Sequence, residues 1–230
     1  YLSQMLVITF MMFVSAASGY AACIAFIRGL AGKTKDNVGN FFVDLVRITT
    51  RVLIPFSIVG GLLLVWQGVP QNFSGNVVVD TIEGAKQIIA MGPVAALEII
   101  KHLGTNGGGF FGVNSAHPYE NPSAFTNIIE MTSLLLIPAA CCFTFGIGVK
   151  NTKQGKAIFA AMFILLVIFT GIIAVNEHAG TPQLADGGAV NIEMTDGQAG
   201  GNMEGKESRF GIVTSSTWSA YTTAASNGSV

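Results

Sequence analysis

Charge is scarce in this sequence. Asp, Glu, Lys and Arg make up 11% of its 230 residues, against about 25% in a soluble domain. That deficit excludes an ordinary water-facing surface. No charge at all falls within residues 1–27, 52–79, 131–149 or 157–176. A spanning helix needs about 20 mostly apolar residues, so the runs predict four crossings, at about 4–27, 48–67, 127–149 and 157–176. Cysteine is also rare. Cys23, Cys141 and Cys142 all lie inside those runs, where they read as small apolar packing residues and not as bridges. A formal net charge of −1 offers no basic face for nucleic acid. The first run has no basic segment before it and ends in a basic stretch instead of a cleavage site, so it is not a signal peptide. The chain, opening on Tyr1 and closing on Gly228-Ser229-Val230, reads as a piece of a longer protein.

The few charges that are present are placed with a bias. Loop 28–51 carries Arg28, Lys33, Lys35, Arg47 and Arg51 against Asp36 and Asp44, and loop 150–156 carries Lys150, Lys153 and Lys156 with no acid. The stretch after the last run is acidic, with Glu177, Asp186, Glu193, Asp196, Glu204 and Glu207 against Lys206 and Arg209. By the positive-inside rule the short basic loops are cytoplasmic, and the long loops 68–125 and 177–208 are extracytoplasmic.

Two further segments are apolar but do not span. Residues 91–104, MGPVAALEIIKHLG, are helical in pattern, begin with Pro93 in a first turn, and hold Glu98 and Lys101, which makes a lipid-facing helix unlikely. Residues 207–230 are uncharged after Arg209 but rich in Ser and Thr. Both read as re-entrant segments, which survive only where protein or a water-filled cavity surrounds them. Each follows a span and a long outer loop, and each ends alike: Thr105-Asn106-Gly107 and Ser226-Asn227-Gly228. The expected fold is therefore an all-α membrane protein of repeated membrane–pore–membrane units, with four spans and two re-entrant pore helices. Its divisions are 1–47, the last span of one repeat with a cytoplasmic loop; 48–149, a complete repeat with a glycine-rich loop at 104–109; and 150–230, the span and pore helix of the next, cut within its own loop.

Glycine is concentrated where a membrane helix has least use for it, in HLGTNGGGFFGVNSAHPYENPS, 102–123. A dehydrated cation needs oxygens in place of water, and inward-pointing backbone carbonyls supply them. Consecutive inward carbonyls need unusual φ/ψ, which glycine reaches at little steric cost. The Thr105 hydroxyl adds an oxygen, and the preceding helix aims the negative end of its dipole at the same place. No Asp or Glu occurs within 104–112 or 221–230. Divalent-cation sites recruit carboxylates, so the pattern favours a weakly hydrated monovalent ion, K+ over Na+. A lone glycine run at a helix end is most often only a turn; the re-entrant context and the second copy reverse that weighting. Phe110 and Phe111 read as wedges holding the loop against its neighbours.

Other motifs carry less. GLAGKT, 29–34, resembles the end of a phosphate-binding loop, but the full pattern needs Gly at 27, which is Ile27. His117 and Glu120 are read as part of a prolyl loop leading into a helix, with Asn127 and Glu130 as its capping box, rather than as a metal or acid–base pair. His102 and His178 read as solvated outer-side histidines. Asn72-Phe73-Ser74 matches a glycosylation sequon of the kind frequent by chance. No nucleophile, base and orienter assemble, so no catalytic residues and no transition-metal site are expected.

The block GTNGGGFFGVNSAHPYENPSAFTNIIEM, 104–131, resembles the second filter region of the potassium-binding A subunits of bacterial Kdp potassium-transporting ATPases. Residues 209–230 look like the third pore helix and filter of that family, and YLSQM like the stretch after its first filter. The resemblance implies a superfamily with four fused membrane–pore–membrane repeats in the inner membrane. It implies K+ ligands at Thr105, Asn106, Gly107, Gly108 and Gly109, and at Ser226, Asn227 and Gly228. It also implies that ATP is used by a separate P-type ATPase subunit, with small accessory subunits completing the complex. The first and fourth filters have no counterpart here. The competing readings are a passive potassium channel or ion-coupled symporter subunit of the same superfamily, and a non-transporting membrane scaffold.

Overall fold

The computed structural model describes residues 2–32, 37–188 and 191–229. Lys33, Lys35 and Asp36 of the basic loop, and the end of GLAGKT, lie outside the described residues. Among the described residues, four helical stretches are long and apolar enough to cross a membrane: Ser3–Leu30, Phe41–Trp66, Ala124–Gly148 and Thr152–Ala179. They correspond to α1 (Leu2–Leu30), to α2 (Phe41–Ile48) running through one π-helical turn (Thr49–Leu53) into α3 (Ile54–Trp66), to α5 (Ala124–Gly148) and to α6 (Thr152–Ala179). Among the described residues the remaining α-helices are α4 (Val94–Leu103), the short α7 (Pro182–Asp186) and α8 (Gly211–Ala224), and Asn114–Ala116 forms one 3-10 turn.

One expectation needs correction. The second span begins at Phe41, not near residue 48, so the predicted loop 28–51 is largely helix. Asn40 starts it by accepting the Val43 N–H on its side chain, and the Arg28 guanidinium grips the carboxylate of Asp44, which is buried. Paired in that way, Asp44 no longer breaks the apolar run as it does on paper. The fold is all-α in class, as expected, with one short hairpin added. Val77–Asp80 (β1) and Lys86–Ile89 (β2) form an antiparallel hairpin with Val77 opposite Ile89 and Asp80 opposite Lys86. VVVD and KQII are too short to register against the helical background, and the turn between them is closed by Gly84 N–H to the Thr81 carbonyl, 2.9 Å.

The core is built around α4. Val94, Ala95, Leu97, Ile99, Ile100 and Leu103 are buried, and so are Glu98, Lys101 and His102. Helices α1, α3 and α5 enclose α4, and α8 packs on α5 and α6. Lipid is as apolar as leucine, so apolar burial between such helices gains dispersion contacts and not expulsion from water. Close approach at small residues therefore matters most. A Cβ on Gly60 of α3 would lie 2.5 Å from Ile99 Cδ1 of α4. Helix α6, by contrast, presents Phe163, Leu165, Ile168, Phe169 and Ile172 outward.

Gly60→Val is accordingly expected to force α3 from α4 and cost about 1–3 kcal/mol, the usual range for overpacking. Gly171→Val, where a Cβ meets nothing within 4 Å among the described residues, is the control. Thermal unfolding in detergent should separate the two; equal midpoints would show that Gly60 is not a packing contact.

Candidate functional site

Helix α4 ends inside the protein, so its last carbonyls need partners. Each finds one. Gly104 N–H donates to the Ile100 carbonyl (2.8 Å), Thr105 N–H to His102 (3.0 Å), and Asn106 N–H to Lys101 (3.0 Å); the Tyr20 hydroxyl of α1 donates to Leu103 (2.8 Å). The two bonds from Thr105 and Asn106 make a Schellman termination, which requires a left-handed residue after the cap. Thr105 fills it at φ +52. A β-branched residue there is strained, where glycine would fit freely.

Helix α8 ends in the same way. Ala225 N–H donates to Tyr221 (3.1 Å), Ser226 to Thr223 (3.1 Å) and Asn227 to Thr222 (2.9 Å). Ser226 has φ +53 and Gly228 +76, against +52 for Thr105 and +79 for Gly107. The two segments thus close their helices alike and share a left-handed φ at their first and third residues. In both, the left-handed position holds a hydroxyl amino acid.

The two loops meet. A Cβ on Gly107 would overlap the Asn227 carbonyl oxygen, so the loops touch backbone to backbone, and Asn227 Nδ2 donates to the Lys101 carbonyl at 3.1 Å. The three glycines differ in role. Gly107 abuts the second loop. Gly108, at φ +84, would point a Cβ at nothing within 4 Å among the described residues. Gly109 lies against Glu120 and Asn114, where a Cβ would sit 2.7 Å from Glu120 Oε1. Two polar side chains are engaged elsewhere: Asn106 Nδ2 donates to Ser15 Oγ (2.6 Å), and Asn227 Oδ1 accepts from Ser229 N–H (2.9 Å). Asn227 thus leaves a ligand only its backbone, whereas Asn106 leaves its backbone and a buried Oδ1 that has no partner among the described residues.

Behind the loops lies an ionic cluster that sequence reasoning missed. His102 is not solvated but fully buried. Its Nε2 stands 3.1 Å from Glu98 Oε1 and 3.2 Å from Glu130 Oε2, and its ring meets Trp218 edge-on at 5.5 Å. Lys101 Nζ donates to Glu98 Oε1 (2.5 Å) and to Ser115 Oγ (2.9 Å). Ser115 Oγ donates to Glu98 Oε1 (2.6 Å). Its proton being committed there, the contact with Ser229 Oγ at 3.2 Å is donated by Ser229. Glu98, His102 and Glu130 have the composition of a metal site, but Lys101 already brings its own cation to Glu98. The spacing of Glu98, Lys101 and His102 on one helix face inside an apolar segment was the available signal, because ionisable groups at membrane depth are functional by default.

The stretch 110–130 also departs from expectation. The capping box of α5 is Ser123 with Thr126, not Asn127 with Glu130. Asn127 instead accepts from Asn121 Nδ2 (2.8 Å), and Glu130 turns to His102. His117 stacks on Phe111 with centroids 4.1 Å apart. Glu120 is fully buried and accepts the Phe110 N–H at 2.5 Å. Phe110 is buried near Gly92 and Phe111 is braced by His117, so both rings hold the loop as expected of wedges.

Environment splits the carboxyls. Burial and the neighbouring Glu98 charge push Glu120 up to about 9. Burial opposes ionisation of Glu98 too, but Lys101 and His102 outweigh it and hold Glu98 at about 2.

A model of the family described as potassium-transporting ATPase A subunit matches residues 1–230. Among curated proteins, the potassium-transporting ATPase potassium-binding subunit of Clostridium perfringens is 56% identical over 239 residues, covering 100% of this chain and 41% of that protein. Those of Geobacillus kaustophilus and Rhodospirillum centenum are 53% and 52% identical, each over 100% of this chain and 40% and 39% of theirs. The chain thus spans about two fifths of the length of these relatives.

Two outcomes follow from the geometry. Thr105→Gly removes a left-handed strain of about 1 kcal/mol and is expected to unfold at or above the wild-type temperature, and above Thr105→Ala; a midpoint below that of Thr105→Ala would show that the turn is unstrained. The raised Glu120 pKa makes its contribution greatest below the unfolded value of 4.5 and lost as pH rises through about 9. Glu98 has the opposite sign, losing its contribution as pH falls from 4.5 through about 2. The unfolding midpoint should therefore fall between about pH 5 and pH 9 and level off above that, and Glu120→Gln should flatten that drop.

Proposed function

The chain belongs to the family of potassium-transporting ATPase A subunits, and on that premise we propose that it binds K+ and passes it across the cytoplasmic membrane as the ion-selecting subunit of an ATP-driven uptake complex. The observation that carries the reading is the pairing of two loops that leave their helices alike, Thr105–Gly107 and Ser226–Gly228, in backbone contact at Gly107. Their carbonyls, with the Thr105 and Ser226 hydroxyls, are the proposed ligands. Two helix C-termini, α4 and α8, lead into the two loops, and negative dipole ends favour a cation there. The strain at Thr105 is consistent with selection for an oxygen in place of the easier glycine. Strained residues persist where surrounding structure holds them and cluster at functional sites.

In this reading α4 and α8 are pore helices that dip into the membrane and return. Helices α2–α3, α4 and α5 make one span–pore–span unit, and α6 with α8 the span and pore helix of a second. The unit boundary falls at Phe41, where the helix starts, instead of at residue 48. The loops 68–125, apart from the dip of α4 and the turn after it, and 177–208 lie outside the cell and 150–156 inside, and K+ enters from outside. The chain performs no catalysis; a P-type ATPase subunit hydrolyses ATP and small accessory subunits complete the assembly. The names of the relatives favour this pump over a passive channel or symporter, and K+-stimulated ATP hydrolysis by the purified complex separates the two.

Gly107→Ala is the test. Its Cβ meets the Asn227 carbonyl and a positive φ together. In the full-length protein within its complex, the variant is expected to raise the half-saturating K+ concentration, or to lower discrimination against Na+ and Rb+, by at least about tenfold, or 1.4 kcal/mol. Wild-type affinity and discrimination would remove Gly107 from the ion path.

A further inference from the structure

The segment between the two loops, Asn114–Asn121, contacts both of them and is itself held from two sides. At one end Glu120 Oε1 takes the Phe110 N–H, and His117 stacks on Phe111. Both contacts fall on the residues that leave the glycine triplet. At the other end Ser115 Oγ receives the Ser229 hydroxyl, 3.2 Å away, one residue beyond Gly228. Trp218 Nε1 fixes the Ser229 carbonyl at 2.9 Å, so Ser229 presents its hydroxyl from a set position.

The segment is anchored independently of either loop. Arg209, just before α8, donates to the Asn121 carbonyl through Nη1 and to the Ala116 carbonyl through Nη2, both at 3.0 Å. Asn121 is tied to the start of α5 by Thr126 Oγ1 (2.6 Å) and Asn127 (2.8 Å). Asn114, at φ +54, turns the chain, and its Cα would lie 2.8 Å from a Cβ on Gly109. Gly109 is therefore bare because this segment, and Glu120 in particular, needs to reach past it.

We infer that Asn114–Asn121 is a caliper that sets the separation of the two ion-binding loops, with Glu120 as its positioning residue on the first loop and Ser115 on the second. Glu120 acts as a hydrogen-bond acceptor for the Phe110 N–H and does not touch the ion. Discrimination between ions of like charge depends on how firmly the carbonyls are held and how many reach the ion, so loosening this segment changes selectivity rather than abolishing passage. The inference rests on the proposed ion-binding role of the loops.

The experiment compares K+, Rb+ and Na+ transport by the full-length protein in its complex, carrying Glu120→Leu, Glu120→Gln, Arg209→Met or Gly107→Ala. Glu120→Gln keeps an acceptor oxygen for the Phe110 N–H and is expected to stay within about twofold of wild-type K+/Na+ discrimination. Glu120→Leu removes the acceptor and is expected to lower discrimination about tenfold, with a smaller effect on the maximal K+ rate. Arg209→Met cuts an anchor that bonds the segment and not the loops and is expected to lower discrimination in the same direction, which keeps the question answerable if Glu120→Leu fails to assemble. Glu120→Gln as impaired as Glu120→Leu would mean that keeping an acceptor for the Phe110 N–H does not preserve discrimination, and would overturn the inference. Wild-type discrimination in both Glu120→Leu and Arg209→Met, with Gly107→Ala impaired, would overturn the caliper while leaving the ion-binding loops standing. Wild-type discrimination in Gly107→Ala would bring down the loops themselves, and the caliper with them.

Discussion

A helix that ends within apolar surroundings leaves carbonyls that water cannot reach. Everything at this site follows from how that demand is met twice. At the end of α4 the carbonyls of Ile100, Lys101, His102 and Leu103 are consumed by Gly104, Asn106, Thr105 and Tyr20. The helix is therefore closed before the glycine run begins, and the carbonyls after it are left for something other than the helix. The same closure at Ala225–Asn227 produces a second loop of matching shape. A Schellman end demands a left-handed residue, and in both copies the chain uses a hydroxyl-bearing side chain there in place of glycine.

Two loops held only by their own backbones would drift. The cluster behind them supplies the restraint. Breaking a buried ion pair by removing one partner costs about 3–5 kcal/mol, whereas replacing the whole pair with apolar residues is often neutral. Glu98, Lys101 and His102 are thus better understood as specifying an arrangement than as adding stability. Glu98 Oε1 gathers Lys101, Ser115 and His102, and Ser115 passes the restraint on to Ser229. Glu120, kept neutral by burial and by Glu98, sits among these charges without adding another. Small residues let the helices approach closely enough to enclose the cluster, as Gly60 does under Ile99.

The sequence by itself determined the membrane class, the number of spanning helices and the position of both loops. Hydropathy and glycine placement are local properties, written in the order of residues. The repetition of a hydroxyl residue, Asn and Gly at Thr105–Gly107 and Ser226–Gly228 was legible for the same reason; the left-handed backbone at Thr105 was not, since a β-branched residue disfavours it. Boundaries were less legible: Asp44 marked a loop in the sequence and became part of a span once Arg28 neutralised it. The hairpin at 77–89 was missed because two four-residue strands carry too little periodicity.

Only the tertiary structure decided which polar residues matter. His102 stands 28 positions from Glu130 and 116 from Trp218 in the chain, yet meets both. Glu120 appeared to belong to a prolyl turn and instead turns inward to the Phe110 N–H. Ser115 and Ser229, 114 residues apart, share a hydrogen bond that no spacing rule relates. A hydrogen bond is fixed by about 3 Å of distance and by angle, and neither is encoded in sequence separation. The packing of α4 among α1, α3 and α5 brought these groups together, while the order of residues determined only that they would lie near helix ends in an apolar medium.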